Sequence, residues 1–182
     1  MKPQFGLQLA MTATTVVTFL FMLILNEWIF TRSEFVRGIN WIYLPAGARL
    51  LCTLLFGGAG AIGILIASWL TCVFYFFPDD FIRSAVGSVI SAGAPYLTYL
   101  FARRYLGLRG SLSNLTTGPL LICVFAFAIA NSGMHHLWFL MEGRPANWSG
   151  ALVMLIGDLN GSLLVLYAIK LALYCQAARK PA

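Results

Sequence analysis

The chain has 182 residues, 60% hydrophobic and 10% charged, with twelve Lys and Arg against six Asp and Glu for a net charge of +6. A water-soluble chain of this size needs about a quarter of its residues charged to cover its surface, so this composition and a mean hydropathy of +0.83 make lipid the main solvent. In such a chain Lys and Arg act as topology signals, and no nucleic-acid partner is expected.

Six apolar runs follow one another. Residues 7–30, "LQLAMTATTVVTFLFMLILNEWIF", are too long for a signal-peptide core and lack a small-residue cleavage site, so they read as a mature span. Residues 39–56 and 59–77 are separated only by Gly57 and Gly58. Read without a break they far exceed the roughly 20 residues of one crossing, and a tight glycine turn between antiparallel helices resolves the excess. Pro45 and Gly47 interrupt the second run. The remaining runs are 85–102, 119–141 and 149–174. The expected fold is all-α: one integral membrane domain over residues 1–182, a polytopic bundle of six transmembrane helices in the lipid bilayer.

With the N-terminus inside, the inner side holds Lys2, Arg103, Arg104, Arg109, Lys170, Arg179 and Lys180, and the outer side Arg32, Arg37, Arg83 and Arg144. Seven against four favours an N-in, C-in topology. Connections are short, so function falls to helices, loops or a partner. The cysteines (Cys52, Cys72, Cys123, Cys175) stand singly in apolar runs, which predicts small buried hydrophobes and neither disulfides nor a zinc site.

"LPAGARLLCTLLFG" carries a permanent cation, Arg49, within the second run, and "LIGDLNGSLL" an anion, Asp158, within the sixth. Counted from the starts of their spans, both lie roughly 13–15 Å below the outer surface. An isolated charge there costs at least about 2.5–3.5 kcal/mol, so the two are expected to pair. Such a pair either pins two helices together or lines a polar cavity. The Gly157-xxx-Gly161 spacing predicts close approach of another helix, with Asp158, Gly161 and Ser162 on one face. Pro45 is expected to free a carbonyl near Trp41, which membrane depth tolerates only beside protein or a water-filled cavity.

Glu27, Asn131, His135 and His136 gather on the outer half. Adjacent histidines point about 100° apart on a helix, so no metal site is expected; one of them suits a proton-sensitive cavity wall. The expected ligand-binding set is Arg49, Asp158, His135, Asn131 and Glu27. Trp28, Trp41, Tyr43 and Trp148 read as interface anchors. The ridges Ala59–Gly63–Ala67 and Ser84–Ser88–Ala92 are helix-packing surfaces that would also serve a homo-oligomer. No P-loop, dinucleotide fingerprint, nucleophile elbow, metalloprotease or kinase motif occurs, so neither a cofactor nor an enzyme is expected.

"WIYLPAGARLLCTLLFG", followed at once by an apolar helix, resembles the opening of the MASE-type bacterial membrane-associated sensor domains, and "LIGDLNGSLLVL" is similar to their late G-D-x-x-G segment. The matching positions are Pro45, Gly47, Gly57, Gly157, Asp158 and Gly161, over roughly residues 41–173. The resemblance implies a sensing module of the bacterial inner membrane. Two departures stand out: family members usually have more spans and feed a cytoplasmic kinase or cyclic-dinucleotide domain, and Arg49 replaces a less charged residue. With the sequence ending just past the sixth run, output is expected through a second polypeptide, a membrane or cytoplasmic signalling or energising partner. The leading expectation is a small-solute or partner sensing module with an outward-facing polar pocket. The alternatives are the substrate-binding subunit of a vitamin-type importer and a structural protein without ligand.

Overall fold

The computed structural model describes residues 2–108, 116–144 and 147–178. Among the described residues are six α-helices: α1 Lys2–Ile29, α2 Leu44–Phe56, α3 Gly58–Thr71, α4 Phe81–Tyr105, α5 Thr117–Met141 and α6 Trp148–Ala178. Five helical segments among the described residues are long and apolar enough to cross a membrane, the second of them running through Gly58–Phe76 because Cys72–Phe76 continues α3 as π-helix. Of the cations expected on the inner side, Arg109, Arg179 and Lys180 lie outside the described residues.

The second run departs most from expectation. Residues 39–43 are not helical. A small antiparallel hairpin, β1 Glu34–Val36 with β2 Ile39–Asn40, turns at Gly38 and feeds the chain into α2 at Leu44. The helix is therefore about 20 Å long, against the roughly 30 Å of a hydrocarbon core. Pro45 stands in its first turn, where the N–H that proline lacks would have no intrahelical partner. It starts the helix and does not break it, which corrects the expected interruption.

Neighbours explain why so short a helix is stable. α1 packs on α3, α3 on α4, α4 on α5 and α5 on α6, while α2 touches α1, α3, α4 and α6. Ten of its thirteen residues are buried. A cation on α2 thus faces protein, not lipid.

The chain directions follow from cross-links. Thr12 Oγ1 donates to the Ala59 carbonyl (3.2 Å) and Tyr75 Oη to Glu27 (2.9 Å), so α1 and α3 run parallel. Gly57, at φ +57°, makes the α2–α3 turn that two adjacent glycines predicted. Close approaches sit at Gly60 against the Cys52 backbone and at Gly63 against Thr15. Asp80 caps α4 by accepting from the Arg83 backbone N–H (2.9 Å).

The GxxxG face of α6 receives backbone. A Cβ at Gly157 would lie 1.9 Å from the Asn40 carbonyl oxygen, and one at Gly161 would lie 1.8 Å from that of Tyr43. Asn40–Leu44 fills the groove expected for a helix, and α2 continues it with Gly47 against Val165. Non-helical backbone inside a bundle needs partners for its polar groups. The Tyr43 N–H donates to the Gly157 carbonyl (3.2 Å), the Leu44 N–H to Asn26 Oδ1 (2.8 Å), and Asn160 Nδ2 to the Trp41 carbonyl (3.0 Å).

Candidate ligand-binding site

A cavity of about 70 Å³ opens inside the bundle at the end that carries the hairpin. By the volume a water occupies it has room for about five water-sized groups. Arg49, Asp158, Asn131 and His135 all line it, so the structure brings together four of the five residues expected to bind ligand. Glu27 is the exception. It does not line the cavity, and its carboxylate accepts from Tyr75 Oη outside it.

The expected Arg49–Asp158 ion pair does not form. Among the described residues, ion pairs join Arg144 to Asp80 (3.4 Å) and to Glu142 (2.9 Å), with none at Arg49 or Asp158. The reason is depth. Asn40 lies level with Gly157 and Gly47 with Val165, so the first turns of α6 rise above the point where the hairpin enters. Counting each residue from its own span start ignored that offset, which sets Arg49 about nine α6 residues, or roughly 13 Å, deeper than Asp158. Both side chains still reach the cavity, from different levels.

Arg49 is 7% exposed. One Nη donates to Tyr43 Oη (3.3 Å), and the guanidinium faces the rings of Tyr43 (5.1 Å) and Phe19 (5.4 Å). Its Nε has no partner. Tyr43 is thereby placed in the interior, holding the arginine, which corrects its reading as an interface anchor. Trp28 and Trp148 are exposed near their helix ends, as an anchor requires.

Asp158, 2% exposed, accepts from Asn131 Nδ2 through Oδ2 (2.7 Å). A carboxylate only accepts, so this bond fixes the Asn131 amide orientation and leaves Asn131 Oδ1 buried without a partner. His135 Nδ1 donates to the Asn131 carbonyl (2.9 Å), which leaves Nε2 of the neutral ring as an acceptor. His136 bonds the Ser132 carbonyl (3.0 Å) and lines a different space. Among the described residues no three His, Cys, Asp or Glu side chains group to hold a metal.

Sequence reasoning missed several wall residues. Asn40 and Ser68 line the cavity, and Asn40 Nδ2 and Ser68 Oγ are buried and unpartnered. Thr71, one turn after Ser68, spends its hydroxyl on the Ala67 and Ser68 carbonyls. Ser91 also lines the cavity, and Pro95 withdraws the backbone donor that the Ser91 carbonyl would otherwise accept. The available signals were a lone Asn in an apolar run and a proline four residues after a serine.

Four of the residues that line this space therefore each carry a buried, unpartnered polar atom: Asn40 Nδ2, Arg49 Nε, Ser68 Oγ and Asn131 Oδ1. Leaving such an atom unbonded costs about 1–3 kcal/mol. Toward solvent, Ile39, Arg83 and Phe139 also line a larger space of about 280 Å³, whose other walls include Arg144, Asn147 and Trp148. Arg83 stands between the two, its guanidinium 3.7 Å from the Phe77 ring centre.

The six positions that resemble the MASE-type sensors fall in two places. Gly57 makes the α2–α3 turn, and Pro45, Gly47, Gly157, Asp158 and Gly161 lie where α2 and its leader meet α6. No protein-family model matches this chain, and no solved structure matches it.

Proposed function

We propose that this protein is a multi-pass protein of the bacterial inner membrane that captures a small polar solute from the outer side and signals its presence through a partner. The observation that carries the reading is that four residues with an orphaned buried polar atom, Arg49 among them, line one cavity together with Asp158. Pre-formed concave sites with a few convergent polar groups are the usual form of small-molecule sites.

The orientation we propose is N-in, C-in with six crossings, the second completed by the non-helical leader 39–43 in place of a helical turn. Arg103 and Arg104 close α4 at the end opposite the hairpin, which supports an inner assignment for that end. The cavity then faces outward. The resemblance to MASE-type sensors favours sensing over import and a cytoplasmic output partner, and the site acts by binding without catalysis.

Thermal unfolding of the purified chain in nanodiscs, scanned against a panel of small polar metabolites, tests the reading. A solute at about 100 times its Kd raises stability by about 2.7 kcal/mol. At least one class of solute is expected to raise the midpoint. A panel without any response would overturn the proposal.

A further inference from the structure

The orphaned atoms are sorted by chemistry. Arg49 Nε and Asn40 Nδ2 are donors, whereas Asn131 Oδ1 is an acceptor beside the Asp158 carboxylate. A cation and an anion thus face the same small space without neutralising each other, each more than nine-tenths buried. A solute with one charge would satisfy one end and leave the other bare. We infer that the cavity takes a small zwitterion, its carboxylate on Arg49 and Asn40 and its ammonium on Asp158 and Asn131. This rests on the solute-capture reading above and narrows it to one chemical class.

Size limits the ligand further. A volume of about 70 Å³ is about half of the roughly 150 Å³ that accommodates benzene, so only a very small ligand fits. That favours glycine and the other smallest zwitterions over γ-aminobutyrate and excludes amino acids with large side chains. At the mouth, Arg37 and Arg83 draw an anionic group inward but are otherwise engaged: Arg37 donates to the Tyr75 carbonyl (2.8 Å) and Arg83 rests on Phe77.

The test is a binding series on the full chain in phosphatidylglycerol nanodiscs, with glycine, β-alanine and γ-aminobutyrate against propionate, ethylamine and glycerol. One of the zwitterions is expected to bind at least tenfold tighter than either singly charged analogue, with the best spacer length reporting the gap between Arg49 and Asp158. In the Asp158→Asn variant, which keeps an acceptor for Asn131, the preference for the zwitterion over propionate is expected to fall at least tenfold. Should that variant not fold, the wild-type series still decides. Phosphatidylethanolamine carries an ammonium and an anion too, so the series is repeated with it in the bilayer. Competition by the lipid assigns the zwitterion to a headgroup, and undiminished binding assigns it to a free solute. Propionate, ethylamine or glycerol binding as tightly as every zwitterion would overturn this inference while leaving solute capture standing. Silence in all arms would overturn both.

Discussion

Asn131 and Tyr43 each hold one buried charge, and their loss should differ in size. Asn131→Ala removes the side-chain donor to the Asp158 carboxylate and is expected to cost about 2–3 kcal/mol, the upper part of the range for stranding a buried group. Tyr43→Phe keeps a ring beside Arg49 and removes only the hydroxyl acceptor, so about 1 kcal/mol is expected. Equal midpoints for the two variants in thermal melts would contradict this assignment of partners. Glycines make a sharper contrast. Gly157→Ala and Gly161→Ala would drive a methyl into a backbone carbonyl and should cost more than the roughly 1–3 kcal/mol of ordinary overpacking. Gly133→Ala meets nothing within 4 Å on α5 and should be neutral or stabilising by about 0.5–1 kcal/mol. The importance of Gly157 and Gly161 was readable from their spacing. That they admit a backbone strand and not a helix was not, because GxxxG specifies close approach and says nothing of what approaches.

The leader 39–43 and α2 behave as one unit whose polar backbone is satisfied by side chains distant in sequence. Asn26→Leu keeps much of the volume but strands the Leu44 N–H, and Asn160→Leu strands the Trp41 carbonyl. Asn26→Leu is expected to lower stability by about 1–3 kcal/mol, and Asn160→Leu, whose bond is exposed, by less. Wild-type-like melting of both variants would mean that water, and not protein, satisfies the leader. The helix boundaries of α3 to α6 could be read from apolar length to within a few residues, because lipid forces every backbone bond to close within a spanning segment. The second segment could not be read that way. It is enclosed by its neighbours, so its backbone is free to unwind wherever those neighbours supply partners. The same enclosure explains Arg49. An arginine that reads as anomalous in a lipid-facing span is ordinary on a central helix with Tyr43 to bond and two rings to face. Matching the depths of Arg49 and Asp158 by counting failed for the same reason, since the count assumed two helices starting together.

Taken together, the bundle has two unlike ends. The Gly57 turn, Arg103 and Arg104 mark one; the hairpin, the cavity and the Arg144–Asp80 ion pair mark the other. The composition announced a membrane bundle and the fold is helical throughout its long elements, but the cavity depends on contacts among α2, α3, α4, α5 and α6 that no local pattern encodes. The most direct test of an outward-facing, water-filled cavity uses cysteines already present. Cys72 lines it, Cys52 and Cys123 are buried away from it, and Cys175 lies on the last turns of α6. A small, charged, membrane-impermeant methanethiosulfonate reagent applied to intact spheroplasts, followed by peptide mapping, should modify Cys72 and spare the other three. Cys72 reacting as slowly as Cys52 and Cys123, or Cys175 reacting from outside while Cys72 does not, would contradict a cavity open to the outer face.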